Sequence, residues 1–132
     1  MVIDTSAVIA CLLDEPERVS FVECIEADPV RLMSMVGFVE ASLVIFSRRG
    51  AEGLADLAAF LDRAEIDRVA VDARQGDEAV LVFRRFGRGR HSAALNIGDC
   101  FAYALARTTG EPLLFKGGDF AQTDIAAAAR RT

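Results

Sequence analysis

The sequence predicts an α/β fold, a three-layer α/β/α sandwich around a central parallel sheet, in one domain spanning residues 1–132. Three observations predict it. Short, unbroken apolar runs such as Val2-Ile3 and Leu113-Leu114-Phe115 alternate with longer segments whose apolar residues recur at helical spacing. Unbroken runs are the mark of strands covered on both faces, as in parallel sheets, rather than the in-out alternation of a half-exposed sheet. The length, 132 residues with 52% hydrophobic, suffices for one core without disulfides or metals to staple it.

Taken in order, Val2-Ile3 reads as a buried strand ending at Asp4, and Thr5-Ser6 supplies the N-cap of a helix carrying Val8, Ile9, Leu12 and Leu13. A second helix runs from Pro16, suited to a first turn, through Val19, Val22 and Ile25 to Asp28-Pro29, where the pre-proline restriction stops it. Arg31-Leu32-Met33 is the next strand. After Ser34 a helical pattern carries Val36, Val39, Leu43, Val44 and Phe46 to Gly50, a fitting C-terminal glycine, and another helix covers about Glu52 to Ala64. Arg68 to Val71 is a strand, Asp72 caps a helix reaching Phe86, and Gly87 to Ser92 is a glycine-rich polar loop. Gly98 to Arg107 is helical and closed by Gly110. Pro112 to Phe115 is a strand, Lys116 to Phe120 a turn, and Ile125 begins a last short strand before an alanine-rich tail.

Composition narrows the chemistry. Cys11, Cys24 and Cys100 are scattered, with no C-x-x-C pair, so neither a disulfide framework nor a thiolate zinc site is expected. With one histidine, His91, a three-histidine zinc site cannot be built. Catalysis has to rest on carboxylates. No apolar run approaches the ~20 residues of a membrane span, and the start of the chain has no secretory pattern, so a cytoplasmic location away from membranes is expected. The net charge of −5 means that nucleic-acid binding would need a local basic patch.

Four acids stand out. Asp4 follows two apolar residues and precedes a helix, at a strand end where open parallel sheets bind ligands; its bland reading is a helix cap. Glu40 lies on the helical stripe of Val36, Leu43 and Val44, where a carboxylate facing the core needs a basic partner or a cation. Asp99 follows Gly98 in the first turn of its helix, where the helix dipole favours an anion, and Asn96 stands ready to orient it. Ala102, Tyr103 and Ala106 share its face, small enough to let the helix lie close to the sheet. Asp119 closes a turn after Gly117 and Gly118, with Asp124 nearby, so which of the two completes a site stays open. Four ionised acids cannot share a site without a cation, and an all-oxygen donor set suits Mg2+.

These residues resemble the PIN-domain ribonucleases, specifically the VapC-type toxins of bacterial toxin–antitoxin pairs. The carrying motifs are Val2-Ile-Asp-Thr-Ser6, Glu40 within Val39-Glu-Ala-Ser42, Leu95-Asn-Ile-Gly-Asp-Cys-Phe-Ala-Tyr-Ala104 and Leu113-Leu-Phe-Lys-Gly-Gly-Asp-Phe120 with Thr123-Asp124. They span nearly the whole chain in the expected order. The resemblance implies an acidic quartet binding one or two Mg2+ or Mn2+ ions, with Asp4 and Asp99 as principal ligands and Glu40 and Asp119 completing the pocket. It further implies an endoribonuclease acting on structured RNA such as a tRNA, an antitoxin partner whose C-terminal segment blocks the pocket, and a homodimer.

The segment from Phe83 to His91 holds Arg84, Arg85, Arg88 and Arg90, the best candidates for contact with an RNA backbone, and Lys116 beside the expected site either contacts phosphate or caps the pocket's charge. Phe21, Phe38, Phe46, Phe60 and Phe101 sit in helical patterns and read as core or interface rather than base-stacking platforms. A phospho-receiver domain is the rival from another class: Asp72 and Lys116 fit it. It needs a second acid where Thr5 stands, and it leaves Glu40 and Asp99 without a role. A haloacid-dehalogenase-type phosphatase wants an aspartate where Ser6 sits. A PIN-like domain that binds RNA or protein without cutting is the remaining alternative.

Overall fold

The structure, a computed structural model, describes residues 1–128. Its element order is β1 (Val2–Ile3), α1 (Thr5–Leu12), α2 (Arg18–Ala27), β2 (Leu32–Ser34), α3 (Met35–Arg63), β3 (Asp67–Val69), α4 (Ala73–Phe86), α5 (Ile97–Thr109) and β4 (Leu113–Leu114). A 3-10 turn, Phe120–Gln122, comes after them. The four strands form one parallel sheet in the order β3-β2-β1-β4, with Val2 opposite both Leu32 and Leu113. β1 therefore has β2 on one side and the last strand on the other. The crevice beyond the carboxyl ends of β1 and β4 is the position where such sheets take ligands.

Alternation along these very short strands builds two cores. Ile3, Met33 and Leu114 point into a layer with Ala7, Val8, Phe21, Ile25, Ile45 and Leu57 of α1, α2 and α3. Val2 and Leu113 point the other way, toward Val82, Phe86, Tyr103 and Leu105 of α4 and α5. Adjacent side chains on a strand face opposite sides, so each two-residue strand anchors both helical layers at once.

The expected caps and breaks are found for local reasons. Asp72 accepts from the Gln75 amide to start α4, and Gly110 takes the left-handed conformation (φ 74°) that ends α5. Gly50 interrupts α3 at φ 59°, ψ −147°, backbone only glycine adopts readily, so α3 is the two helices expected around it, meeting at a kink.

Four details differ from expectation. Asp4 itself caps α1, and Ser6, expected to share the cap with Thr5, lies inside the first turn. The third strand starts at Asp67 and ends at Val69, short of the expected Val71, and the last one is reduced to a single bridge between Leu113 and Ala127. The stripe assigned to the core on α3 faces outward: Val39, Leu43, Val44 and Phe46 are exposed, and Gly37, Ala41 and Ile45 pack inward. Small residues let α3 lie close to the sheet, and hydrophobicity alone cannot tell that face from an apolar face left outside. The end of the alanine-rich tail, residues 129–132, lies outside the described residues.

Candidate active site

Asp4 is positioned by the sheet. Its amide donates to the Leu114 carbonyl (2.9 Å), extending the β1–β4 pairing by one residue, and its side chain is 5% exposed. Both the Ser6 amide (3.0 Å) and the Ser6 hydroxyl (2.6 Å) donate to Asp4 Oδ2. Burial nonetheless pushes the carboxyl up to about 6, against the pull of those two donors, with the negative charge of Asp99 adding to the rise.

Glu40 comes from one and a half turns into α3, whose start is capped by the buried Ser34. The Thr5 hydroxyl lies 3.0 Å from the Gly37 carbonyl and 3.4 Å from Glu40 Oε1, so its single proton is better placed for Gly37. Glu40's carboxyl rests against Gly98. A Cβ built there would stand 1.9 Å from Oε1 and 2.2 Å from Cδ. Burial, then Asp4 and Asp99, raise Glu40 above the ordinary carboxylate range.

Asp99 is fixed by a reciprocal capping box, in which the Asn96 amide donates to Asp99 Oδ2 (3.0 Å) and the Asp99 amide donates to Asn96 Oδ1 (2.9 Å). Its carboxyl is also raised by burial; the Asn96 amide and Arg88 pull it down, and Asp119 pushes it up.

Asp119, exposed at the head of the 3-10 turn, makes no capping bond; its charge is felt at Asp99. Asp124 is engaged elsewhere. It takes the Tyr103 hydroxyl, pairs with Arg85 (3.1 Å) and lies 3.9 Å from Arg107, and these contacts hold it below the ordinary range. Of the two acids left open by the sequence, Asp119 is the one coupled to the others.

The structure thus brings Asp4, Glu40, Asp99 and Asp119 into one electrostatic neighbourhood. Among the described residues no lysine or arginine pairs directly with any of them. Nor do three acidic, histidine or cysteine side chains there close into a preformed cage. Buried carboxylates that raise one another and have no paired base are the donor set a hard cation fits, and Mg2+ keeps several waters rather than needing a full protein cage.

The basic candidates are placed unequally. Arg88 is close enough to stabilise the Asp99 charge, and Arg84 and Arg90 are exposed. Arg85 is paired with Asp124 and stacks over Phe86, and Lys116 is held by Glu15 and Glu17. The loop bearing Arg88 and Arg90 is tied to the Asp119 turn through the Ser92 hydroxyl, which donates to Gln122 Oε1 (2.7 Å). Sequence reasoning missed the roles of Ser6 and Gly98. The only signal for either was proximity to an acid in the motifs.

With this geometry in view, the family becomes clear. A PIN-domain model matches residues 1–126. Ribonuclease VapC30 of Mycobacterium tuberculosis is 53% identical over 129 residues, 98% of each chain, and a ribonuclease VapC of Mycolicibacterium smegmatis is 53% identical over 127, covering 96% of this chain and 98% of the relative. The chain belongs to the VapC ribonucleases of the PIN-domain family. The crystal structure of Mycobacterium tuberculosis VapC20, at 19% identity, superposes with a TM-score of 0.79 over 98% of each chain. Rickettsia felis VapBC2 gives 0.76 at 11% identity, over 96% of this chain and 94% of that one. These two show the shared fold, the parallel sheet between helical layers expected from the sequence.

Two outcomes are expected for this VapC-family chain. Gly98→Ala forces the Glu40 carboxyl to move, because 1.9 Å is far inside contact distance; cleavage of RNA falls by about tenfold or more, while the circular dichroism spectrum keeps its native shape. In metal-free buffer, a folded-state value of about 6 for Asp4 against an ordinary 3.8 means that the folded state binds the proton more tightly. The stability deficit is absent below pH 4, grows as pH rises to about 6 and reaches about 3 kcal/mol above it. Asp4→Asn therefore gains thermal stability over the wild type between pH 4 and pH 7, and a melting difference that is flat across that range contradicts the assignment.

Proposed function

We propose that the chain is a Mg2+-dependent endoribonuclease, the toxin of a type II toxin–antitoxin pair, hydrolysing phosphodiester bonds in a structured RNA such as a tRNA. The observation that carries this reading is the coupling of four carboxylates around the end of β1, each of the inner three raised by burial and by its neighbours, with no direct basic partner among the described residues. Asp4 and Asp99 are the principal ligands of the cation. Glu40 and Asp119 complete the pocket and orient the attacking water. Mg2+ held there, or Mn2+ in its place, would supply a more acidic water and a positive charge to offset that growing on the phosphoryl oxygens.

Substrate contact falls to Arg88, with Arg84 and Arg90, the exposed basic residues of the α4 end and the loop after it; guanidinium groups grip phosphates bidentately. Structural relatives support the RNA class and the partner. VapC20 is a toxin that cleaves the sarcin–ricin loop, and a toxin–antitoxin complex from Klebsiella pneumoniae superposes with a TM-score of 0.66 at 14% identity, covering 93% of this chain and 92% of that one. No helix among the described residues is long and apolar enough to cross a membrane.

The exposed Val39, Leu43 and Phe46, at i, i+4 and i+7 on α3, and Ile97, 73% exposed, flank Glu40 and Asp99 in sequence and give the proposed homodimer an apolar contact beside the site. Sedimentation of the wild type should give a dimer, and Leu43→Glu with Phe46→Glu a monomer; a monomeric wild type at tens of micromolar contradicts the dimer.

Incubation of the purified protein with total RNA should give Mg2+-dependent cuts whose mapped ends share one structured target. Asp99→Asn should lose on the order of a hundredfold or more of that activity. Cutting that survives this substitution, or needs no divalent ion, rules the mechanism out, and absence of cutting with any metal moves the assignment to a non-catalytic RNA-binding domain.

A further inference from the structure

The Lys116 ammonium pairs with Glu15 and Glu17, both in the connection between α1 and α2, a partner 101 residues away in the first case. Two negative groups against one positive leave this lysine with no surplus charge for a phosphate. Its backbone is fixed as well. The Lys116 amide donates to Ser6 Oγ (3.0 Å), and that same hydroxyl donates to Asp4 Oδ2 (2.6 Å). Lys116 thus joins three things at one point: the acidic turn, the Ser6 hydroxyl and the end of β4.

The three residues after Lys116 give this joint its importance. Gly117 takes φ 95°, Gly118 has open space around its Cα, and Asp119 is exposed and caps nothing. None of the three has a side chain that anchors it. The next firm attachment is Phe120, 3% exposed and packed against Phe115. Asp119 therefore hangs between two clamps, Lys116 before it and Phe120 after it, and its distance from Asp4 and Asp99 is set by how those clamps hold.

We propose that Lys116 is a positioning residue of the nuclease: clamped by Glu15 and Glu17, it holds the Asp119 loop and the Ser6–Asp4 pair in register and thereby sets the affinity of the acidic site for its divalent cation. This rests on the proposal that the four acids bind a cation. Simple through-space electrostatics makes a contrary prediction, because removing a positive charge near the site strengthens cation binding and removing two negative ones weakens it. Positioning makes both changes act in the same direction.

The test uses Mn2+ alone as probe, titrated into the purified full-length chain and followed by the electron paramagnetic resonance of free Mn2+. Lys116→Met and the pair Glu15→Gln/Glu17→Gln should each weaken Mn2+ binding by about tenfold, the usual scale for residues that hold a ligand in place. Combining all three should be no worse than Lys116→Met, since the residues act as one unit. Lys116→Arg, which keeps the charge and the reach, should restore most of the affinity, and the KM for RNA at saturating metal should not move. Opposite signs for the two variants, additive losses, or unchanged Mn2+ affinity with a raised KM for RNA overturns the proposal, the last by making Lys116 a phosphate contact. If Lys116→Met fails to fold, the glutamate pair decides by itself. A wild type that binds no Mn2+ overturns the cation reading together with this inference, whereas wild-type binding that the variants leave intact overturns the inference alone.

Discussion

Mutual repulsion among carboxylates, gathered where burial denies them water, is the constraint the rest of this molecule answers to. Asp4 is almost sealed and Glu40 and Asp99 are partly covered, so each ionised form lacks solvation that a surface acid would have. The fold offers partial relief at each one. Ser6 gives Asp4 two donors, and the Asn96 amide with the N-terminal turn of α5 steadies Asp99. Relief stops short of neutralisation, and all three carboxyls stay above their ordinary range. Among the described residues no base pairs with them, and the cation proposed above would complete the balance.

The site is assembled from two kinds of support. Asp4, Glu40 and Asp99 stand on regular elements: a strand end, the body of α3 and the first turn of α5. Their separation is set by backbone hydrogen bonds and by the absence of a side chain at Gly98, against which Glu40 lies. Asp119 stands on a loop instead. That loop is moored by Lys116, by buried Phe120, by the Ser92–Gln122 contact, and further on by Asp124, which binds Tyr103 and Arg85. A rigid half and a moored half leave Asp119 as the acid whose place is most adjustable.

Much of this was legible along the chain because it is local. Strand, cap and turn signals act within a few residues, and Asp72, Asn96, Gly50 and Gly110 do what their chemistry at those positions requires. Asp4, Glu40, Asp99 and Asp119 were legible for a different reason: an acid among apolar residues or glycines needs a purpose. The stripe of Val39, Leu43 and Phe46 misled because periodicity reports that a helix has an apolar face without saying what covers it. The link from Ser6 to Lys116 and the pairing of Lys116 with Glu15 escaped because those partners lie 110 and 101 positions apart.

By itself the sequence determined the class of the fold, the order of its elements and the membership in a nuclease family, since these arise from residue type and short-range spacing. Tertiary structure alone decided that the charge of Asp119 reaches Asp99 while Asp124 is taken up by Tyr103 and Arg85, that Gly98 lies against Glu40, that Lys116 answers to Glu15 and Glu17, and that the apolar stripe of α3 looks outward. The physical reason is the same in each case. Charge coupling, steric contact and burial depend on distance through space, and the packing of helices on the sheet sets that distance between residues that can be a hundred positions apart.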